Sequence, residues 1–225
     1  RDRTNVIATN VGTGRAYNNG SASVAFSAGT IAGRSYTVTS SPGSYTGTGS
    51  SSPITVTGLQ SSTQYTYTVT ANNYGTSSAS SASSGVTATT VPQAPTIGTA
   101  TAGNAQASVT FTAGATGGSS ITGYTVTSSP GNITGTGSSS PITVTGLTNN
   151  TAYTFTVTAT NANGTSSASS ASNSATPSNT ISVDYLVVAG GGAGGAHVGG
   201  GGGAGGLRYG SATFSPSIQY NVTVG

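Results

Sequence analysis

The sequence predicts an all-β chain: two tandem β-sandwiches followed by a C-terminal glycine-rich β segment. Three observations carry that prediction. Residues 36–70 (YTVTSSPGSYTGTGSSSPITVTGLQSSTQYTYTVT) recur at 124–158 as YTVTSSPGNITGTGSSSPITVTGLTNNTAYTFTVT, an offset of 88. Within each copy, large apolar residues alternate with threonine, and that period of two puts them on one face of a strand. The 3.6-residue spacing of an amphipathic helix occurs nowhere. A period of 88 is too long for a solenoid unit and fits a complete small domain. It places sandwich 1 at 1–90, sandwich 2 at 91–177 and the glycine-rich segment, incomplete in pattern, at 178–225.

The strands can be justified in turn. The first copy offers SVAF (23–26), YTVT (36–39), PITVT (53–57) and Tyr65–Ala71; the second offers their partners, ending in Tyr153–Ala159. Threonine is β-branched, so it favours a strand while its hydroxyl turns to water. SPG and NG turn signals separate the strands, and each copy should hold about seven of them, antiparallel. Val24, Phe26, Tyr36, Val38, Ile54, Val56, Leu59, Tyr65, Tyr67 and Val69 form the expected core of the first copy. Its opening strand is the least clear, because VGTGRAYNNG lacks the prolines of VPQAPTIGTA. The copies differ in length at two places. Val24 and Phe26 align with Val109 and Phe111 at an offset of 85, so the second copy has a longer loop before Tyr124. The offset becomes 89 at Gly75 and Gly164, which leaves one extra residue in the second copy. The linker Val91-Pro92-Gln93-Ala94-Pro95 is short and proline-bearing, hence semi-rigid.

Three features of both copies carry a family resemblance: the pair SVAF/SVTF, the segment YTVTSSPG, and PITVTGL followed six residues on by tyrosine. Over about residues 5–177 the chain resembles fibronectin type III domains of the kind found in bacterial and phage surface proteins. The resemblance implies an immunoglobulin-like sandwich. It also implies a tyrosine corner in each copy, Leu59 with Tyr65 and Leu147 with Tyr153, in which the hydroxyl bonds back to the backbone. One departure is that Phe26 and Phe111 stand where the family usually has tryptophan.

Composition changes after Pro177. Residues 183–189 (VDYLVVA) read as a buried strand; glycine then fills 12 of the 17 positions from Gly190 to Gly206, followed by LRYG and the strand-like ATFSPSIQYNVTV. Gly190–Gly195 satisfies G-x-G-x-x-G after an apolar strand, the fingerprint of dinucleotide binding. The fingerprint needs a helix to aim its first amides at a pyrophosphate, and AHVGGGGGAGG is among the poorest helix formers. No acidic residue follows about 20 positions later. With its pattern YLVVAGGG…GGGGAGG-L-R-Y-G, residues 183–225 resemble a glycine-rich domain found at the ends of phage tail-fibre and other virion-surface proteins.

Composition also bounds the chemistry. Charged residues are 3% of the 225 positions, with five arginines, two aspartates, one histidine and no lysine, glutamate or cysteine; serine and threonine occupy 79 positions. Asp2 and Asp184 lie far apart, which leaves no paired groups for acid–base catalysis. Too few ligands exist for a metal cage, and thiol chemistry is excluded. The net charge of +3 comes from scattered arginines, not from a basic patch suited to nucleic acid. No run of 18 apolar residues spans a membrane as a helix, and no signal peptide is present. The expectation is therefore a non-enzyme with no cofactor or metal.

Candidate partner contacts are Asn72, Asn73 and Tyr74 in one strand-connecting loop, His197 among the glycines, and Arg208 and Tyr209 in the tail. Asp184 and Arg208 are a candidate ion pair. The expected role is structural or adhesive, at the surface of a phage virion (tail fibre, appendage or capsid decoration) or otherwise extracellular. The alternative is a spacer in a secreted bacterial enzyme or a cell-surface adhesin. Strand edges without charged guards favour a homo-oligomer, with three copies as one option, alongside other virion proteins and a host surface glycan or protein.

Overall fold

The computed structural model describes residues 6–28, 34–73, 75–179, 181–188 and 207–214. These residues form β-strands and no helix. In the first repeat the strands are β1 (Val6–Val11), β2 (Gly20–Phe26), β3 (Ser35–Ser41), β4 (Thr46–Gly49), β5 (Ile54–Leu59), β6 (Gln64–Asn72) and β7 (Val86–Thr87). They make a three-stranded sheet, β1-β2-β5, and a four-stranded sheet, β4-β3-β6-β7. The second repeat has β8 (Thr96–Ala102), β9 (Gln106–Thr112), β10 (Ile121–Ser129), β11 (Thr134–Gly137), β12 (Ile142–Thr145), β13 (Thr154–Asn161) and β14 (Gly164–Thr165). Its sheets are β8-β9-β12 and β11-β10-β13-β14, the same order except that β14 pairs with the end of β13 where β7 pairs with the start of β6. Registers match as well: Val38 faces Val69 across β3 and β6, and Val126 faces Val157 across β10 and β13.

Alternation decides which side chains meet between the sheets. Burial along β6 and β13 alternates between buried apolar and half-buried threonine positions. All ten core side chains expected in the first repeat are buried, with Val24, Val38, Val56 and Leu59 at 0% exposure. Each repeat has its own apolar cluster. Phe26 and Phe111 fill the room of a larger ring by packing against Tyr36 and Tyr124, with ring centres 4.9 and 4.8 Å apart. β1 supplies the opening strand that the sequence left unclear, paired along its length with β2.

Periodicity of two fails after β6 and β13, where a period of three takes over. Ser77, Ser80 and Ser83 each donate their amide to β6, at the carbonyls of Ala71, Val69 and Tyr67, all at 2.9 Å. The amides of those same β6 residues donate back to the serine hydroxyls at 3.0, 3.0 and 3.1 Å. Each hydroxyl then donates to the carbonyl of the next residue. Ser166, Ser169 and Ser172 repeat the pattern on Ala159, Val157 and Phe155. Three residues of this segment thus stand against two of the strand. Two strand residues advance about 6.7 Å, so the serine segment advances only about 2.2 Å per residue. It is a succession of bulges in which a hydroxyl oxygen replaces the carbonyl that an ordinary edge strand would present.

The tail holds β15 (Ile181–Val188) and β16 (Leu207–Phe214), an antiparallel pair. LRYG is therefore part of the strand rather than its approach. The fingerprint glycines and residues 215–225 lie outside the described residues.

The serine period yields a direct test. Ser83→Ala leaves the buried amide of Tyr67 without an acceptor and should lower stability by about 1–3 kcal/mol in urea unfolding. Ser78→Ala, one residue off the period and exposed, should stay within about 0.5 kcal/mol of the parent.

Candidate functional site

The polar chemistry of the sandwiches is made almost wholly of hydroxyls, amides and backbone, since no charged residue lies between Arg34 and Asp184. Within each sandwich one tyrosine ties the crossover between sheets. The amide of Gln60 donates to the Tyr65 hydroxyl at 3.0 Å, and that of Thr148 to the Tyr153 hydroxyl at 3.1 Å. Leu59 and Leu147, just before these turns, are buried. The amide of Thr148 also stabilises a Tyr153 phenolate and so holds that phenol below its ordinary value. Tyr67 behaves in the opposite way. Burial, and then the neighbouring Tyr65 phenol, push it from 10.0 up to about 12.

The densest polar cluster lies at the junction of the sandwiches, around Thr90. The Thr90 amide donates to the Gly117 carbonyl at 2.8 Å, and the Gln93 amide to the Ala115 carbonyl at 2.9 Å. The Thr90 carbonyl accepts from the side-chain amides of both Asn161 (2.8 Å) and Asn163 (3.0 Å). Asn161 is buried and also donates to the Thr116 carbonyl, while its own oxygen accepts from the Asn163 amide. Thr13, from the first repeat, bridges to Thr90. Gly117 has φ +71° and faces the Thr90 carbonyl so closely that a Cβ would collide with it. The linker residues Val91, Pro92 and Pro95 are buried.

This cluster sits where the repeats differ in length. The longer loop before Tyr124 supplies Ala115, Thr116 and Gly117, and the one-residue insertion before Gly164 supplies Asn163. Both departures from the repeat close on the linker between its copies. Among the candidate residues the sequence singles out, none of the junction side chains appears, although the two length differences marked the place.

The candidates themselves are scattered. Asn72 is half-buried and donates to the Thr37 hydroxyl at 3.0 Å, and Asn73 is exposed at the tip of the first sandwich. Tyr74 and His197 lie outside the described residues. Tyr209 is 84% exposed and pairs in register with Leu186, itself 62% exposed. The expected Asp184–Arg208 pair does not fit the register. Asp184 stands opposite Ser211 and accepts its hydroxyl at 2.7 Å, whereas Arg208 pairs in register with Val187. Among the described residues no group of three His, Cys, Asp or Glu is close enough to hold a metal ion. They include no helix long and apolar enough to cross a membrane.

Comparison with known proteins follows these lines. Residues 91–175 match the fibronectin type III domain and residues 165–225 match a glycine-rich domain. Among solved structures the chain is similar to the FN1–FN3 domains of chicken CNTN1, at 16% identity and a TM-score of 0.42, covering 81% of this chain and 69% of that one. It is also similar to domains A168–A170 of titin, at 20% identity and a TM-score of 0.42, covering 76% of this chain and 65% of that one. No curated protein matches. The fold is all-β and immunoglobulin-like, and the fibronectin type III match indicates a structural or adhesive type of module.

Two measurements test this geometry. The folded state keeps the Tyr67 proton that the unfolded chain releases near pH 10. Its stabilising contribution is therefore complete below pH 10 and lost as pH rises towards about 12. Thermal unfolding should show that alkaline loss, and Tyr67→Phe should reduce it. Changing Asn161 and Asn163 together to alanine should leave both sandwiches folded but uncouple them. NMR relaxation would then report two tumbling units where the parent shows one.

Proposed function

We propose that the chain is a non-enzymatic structural and adhesive component of a bacteriophage virion surface, in a tail fibre, an appendage or a capsid decoration. The sandwiches act as a stiff spacer, and the glycine-rich end serves assembly or host contact. The single observation that carries this reading is the charge-free run from Ser35 to Val183, which covers the first sandwich from β3 onward and all of the second. Contacts made by hydroxyls, backbone and apolar groups are barely screened by salt, which suits a surface exposed to changing media. The match of residues 165–225 to a glycine-rich domain supports the placement of the contact end.

Self-association belongs to the same reading. Among the described residues β15 and β16 form a two-stranded sheet with Val183, Leu186 and Tyr209 exposed at 43, 62 and 84%. A lone hairpin is marginal in water and gains stability from further strands or a covering layer. A homo-oligomer, as a trimer, supplies that cover from other copies of the same hairpin. The second reading, a spacer in a secreted or cell-surface bacterial protein, is favoured by the fibronectin type III match alone, since such sandwiches suit either setting.

Immunogold labelling with antibody to the two sandwiches should decorate intact phage particles. Label confined to bacterial walls or to a secreted fraction would favour the second reading. In sedimentation at micromolar concentration the chain should run as an oligomer, and Leu186→Asp with Tyr209→Ser should shift it to monomer.

A further inference from the structure

We propose that the cleft between the two sandwiches is a binding site for a neutral saccharide. The proposal deepens the adhesive reading above and rests on it. The cleft holds about 430 Å³ and is lined by Gly14, Ala16 and Tyr17 of the first repeat, linker residues 91–94, and Thr165 and Ser167 of the second. That volume lies within the ~300–1,000 Å³ usual for small-molecule sites, which favour domain interfaces.

The lining selects the ligand class. Every lining side chain is uncharged; Arg15, exposed in the chain between the lining residues Gly14 and Ala16, is the charge nearest in sequence, and the glucuronate control reads whether it takes part. Tyr17 is half-buried and offers an aromatic ring with a polar tip, a surface suited to the C–H face of a sugar. The Gln93 side-chain oxygen accepts the Ala115 amide at 3.3 Å, which fixes the amide group and leaves its NH₂ to donate. Thr165 and Ser167 add hydroxyls, the first already oriented by the Thr160 hydroxyl at 3.0 Å. Val91 and Pro92 give an apolar floor. Aromatic face, apolar floor and a rim of neutral donors and acceptors together match a polyhydroxylated, uncharged ring.

The walls are held in place before any ligand arrives. Linker residues 91–94 follow directly on Thr90, and Thr165 follows the Asn163–Gly164 turn that grips the Thr90 carbonyl. Ordering the walls therefore costs little at the moment of binding.

The test is a ¹⁵N–¹H NMR titration of the whole chain with glucose, galactose, N-acetylglucosamine and, as a charged control, glucuronate, each to about 10 mM. At least one neutral sugar should bind with a Kd of about 1 mM and shift the amides of Tyr17, Gln93, Thr165 and Ser167, with glucuronate no tighter. Tyr17→Ala should weaken binding by about tenfold while the amides of Val126 and Val157 keep their positions, and Gln93→Ala should weaken it several-fold. Absence of any shift at the cleft with all three neutral sugars overturns the site. So does an unchanged affinity in Tyr17→Ala. Shifts confined to the tip around Asn73 would overturn the site while leaving the adhesive reading intact, and that reading stands or falls separately on the labelling of particles.

Discussion

From Ser35 to Val183 everything polar is done without charge. Buried amides and carbonyls must be paired, and between Arg34 and Asp184 no ionised side chain is available to pair them. Serine, threonine, asparagine and tyrosine take that role one bond at a time. Serine hydroxyls complete the edges of β6 and β13, tyrosine hydroxyls cap the turns after Leu59 and Leu147, and asparagine amides close the linker. Each of these groups is neutral, so the bonds they make are barely screened by salt.

Short side chains have a geometric consequence. A hydroxyl on Cβ reaches only neighbouring backbone, so the chain has to run close to whatever it bonds. That is visible where three residues from Ser77 to Ser83 meet alternate residues of β6, at a shorter advance per residue than any regular strand. The junction at Thr90 follows the same logic with a longer reach. Asparagine spans the gap from a turn to the linker carbonyl, and a glycine at 117 lets the other loop approach without a side chain between.

A duplicated fold becomes a directed assembly at the points where the duplication is imperfect. The matched registers of β3–β6 and β10–β13 would build two interchangeable sandwiches. The added residues before Tyr124 and before Gly164 give the second sandwich a grip that serves the first one's exit strand and linker. Coupling across so few residues is consistent with the modest size of interfaces between adjacent domains in one chain.

Much of the fold was legible in the residues. Alternation at Tyr65, Tyr67 and Val69 fixed the inward face, a local consequence of a two-residue period, and the Leu59–Tyr65 corner was implied by the family resemblance. The serine period of three was equally visible in SSASSASS, yet its meaning needed the facing strand. What the tertiary structure alone decided is which loops meet. Gly117, Asn161 and Asn163 come onto Thr90 across 27 to 73 positions of chain, and Ala115 onto Gln93 across 22. The tail register likewise sets Asp184 against Ser211 and Arg208 against Val187. Local spacing determines which way a side chain points, whereas the partner it finds depends on how distant strands pack, and no window of sequence contains that information.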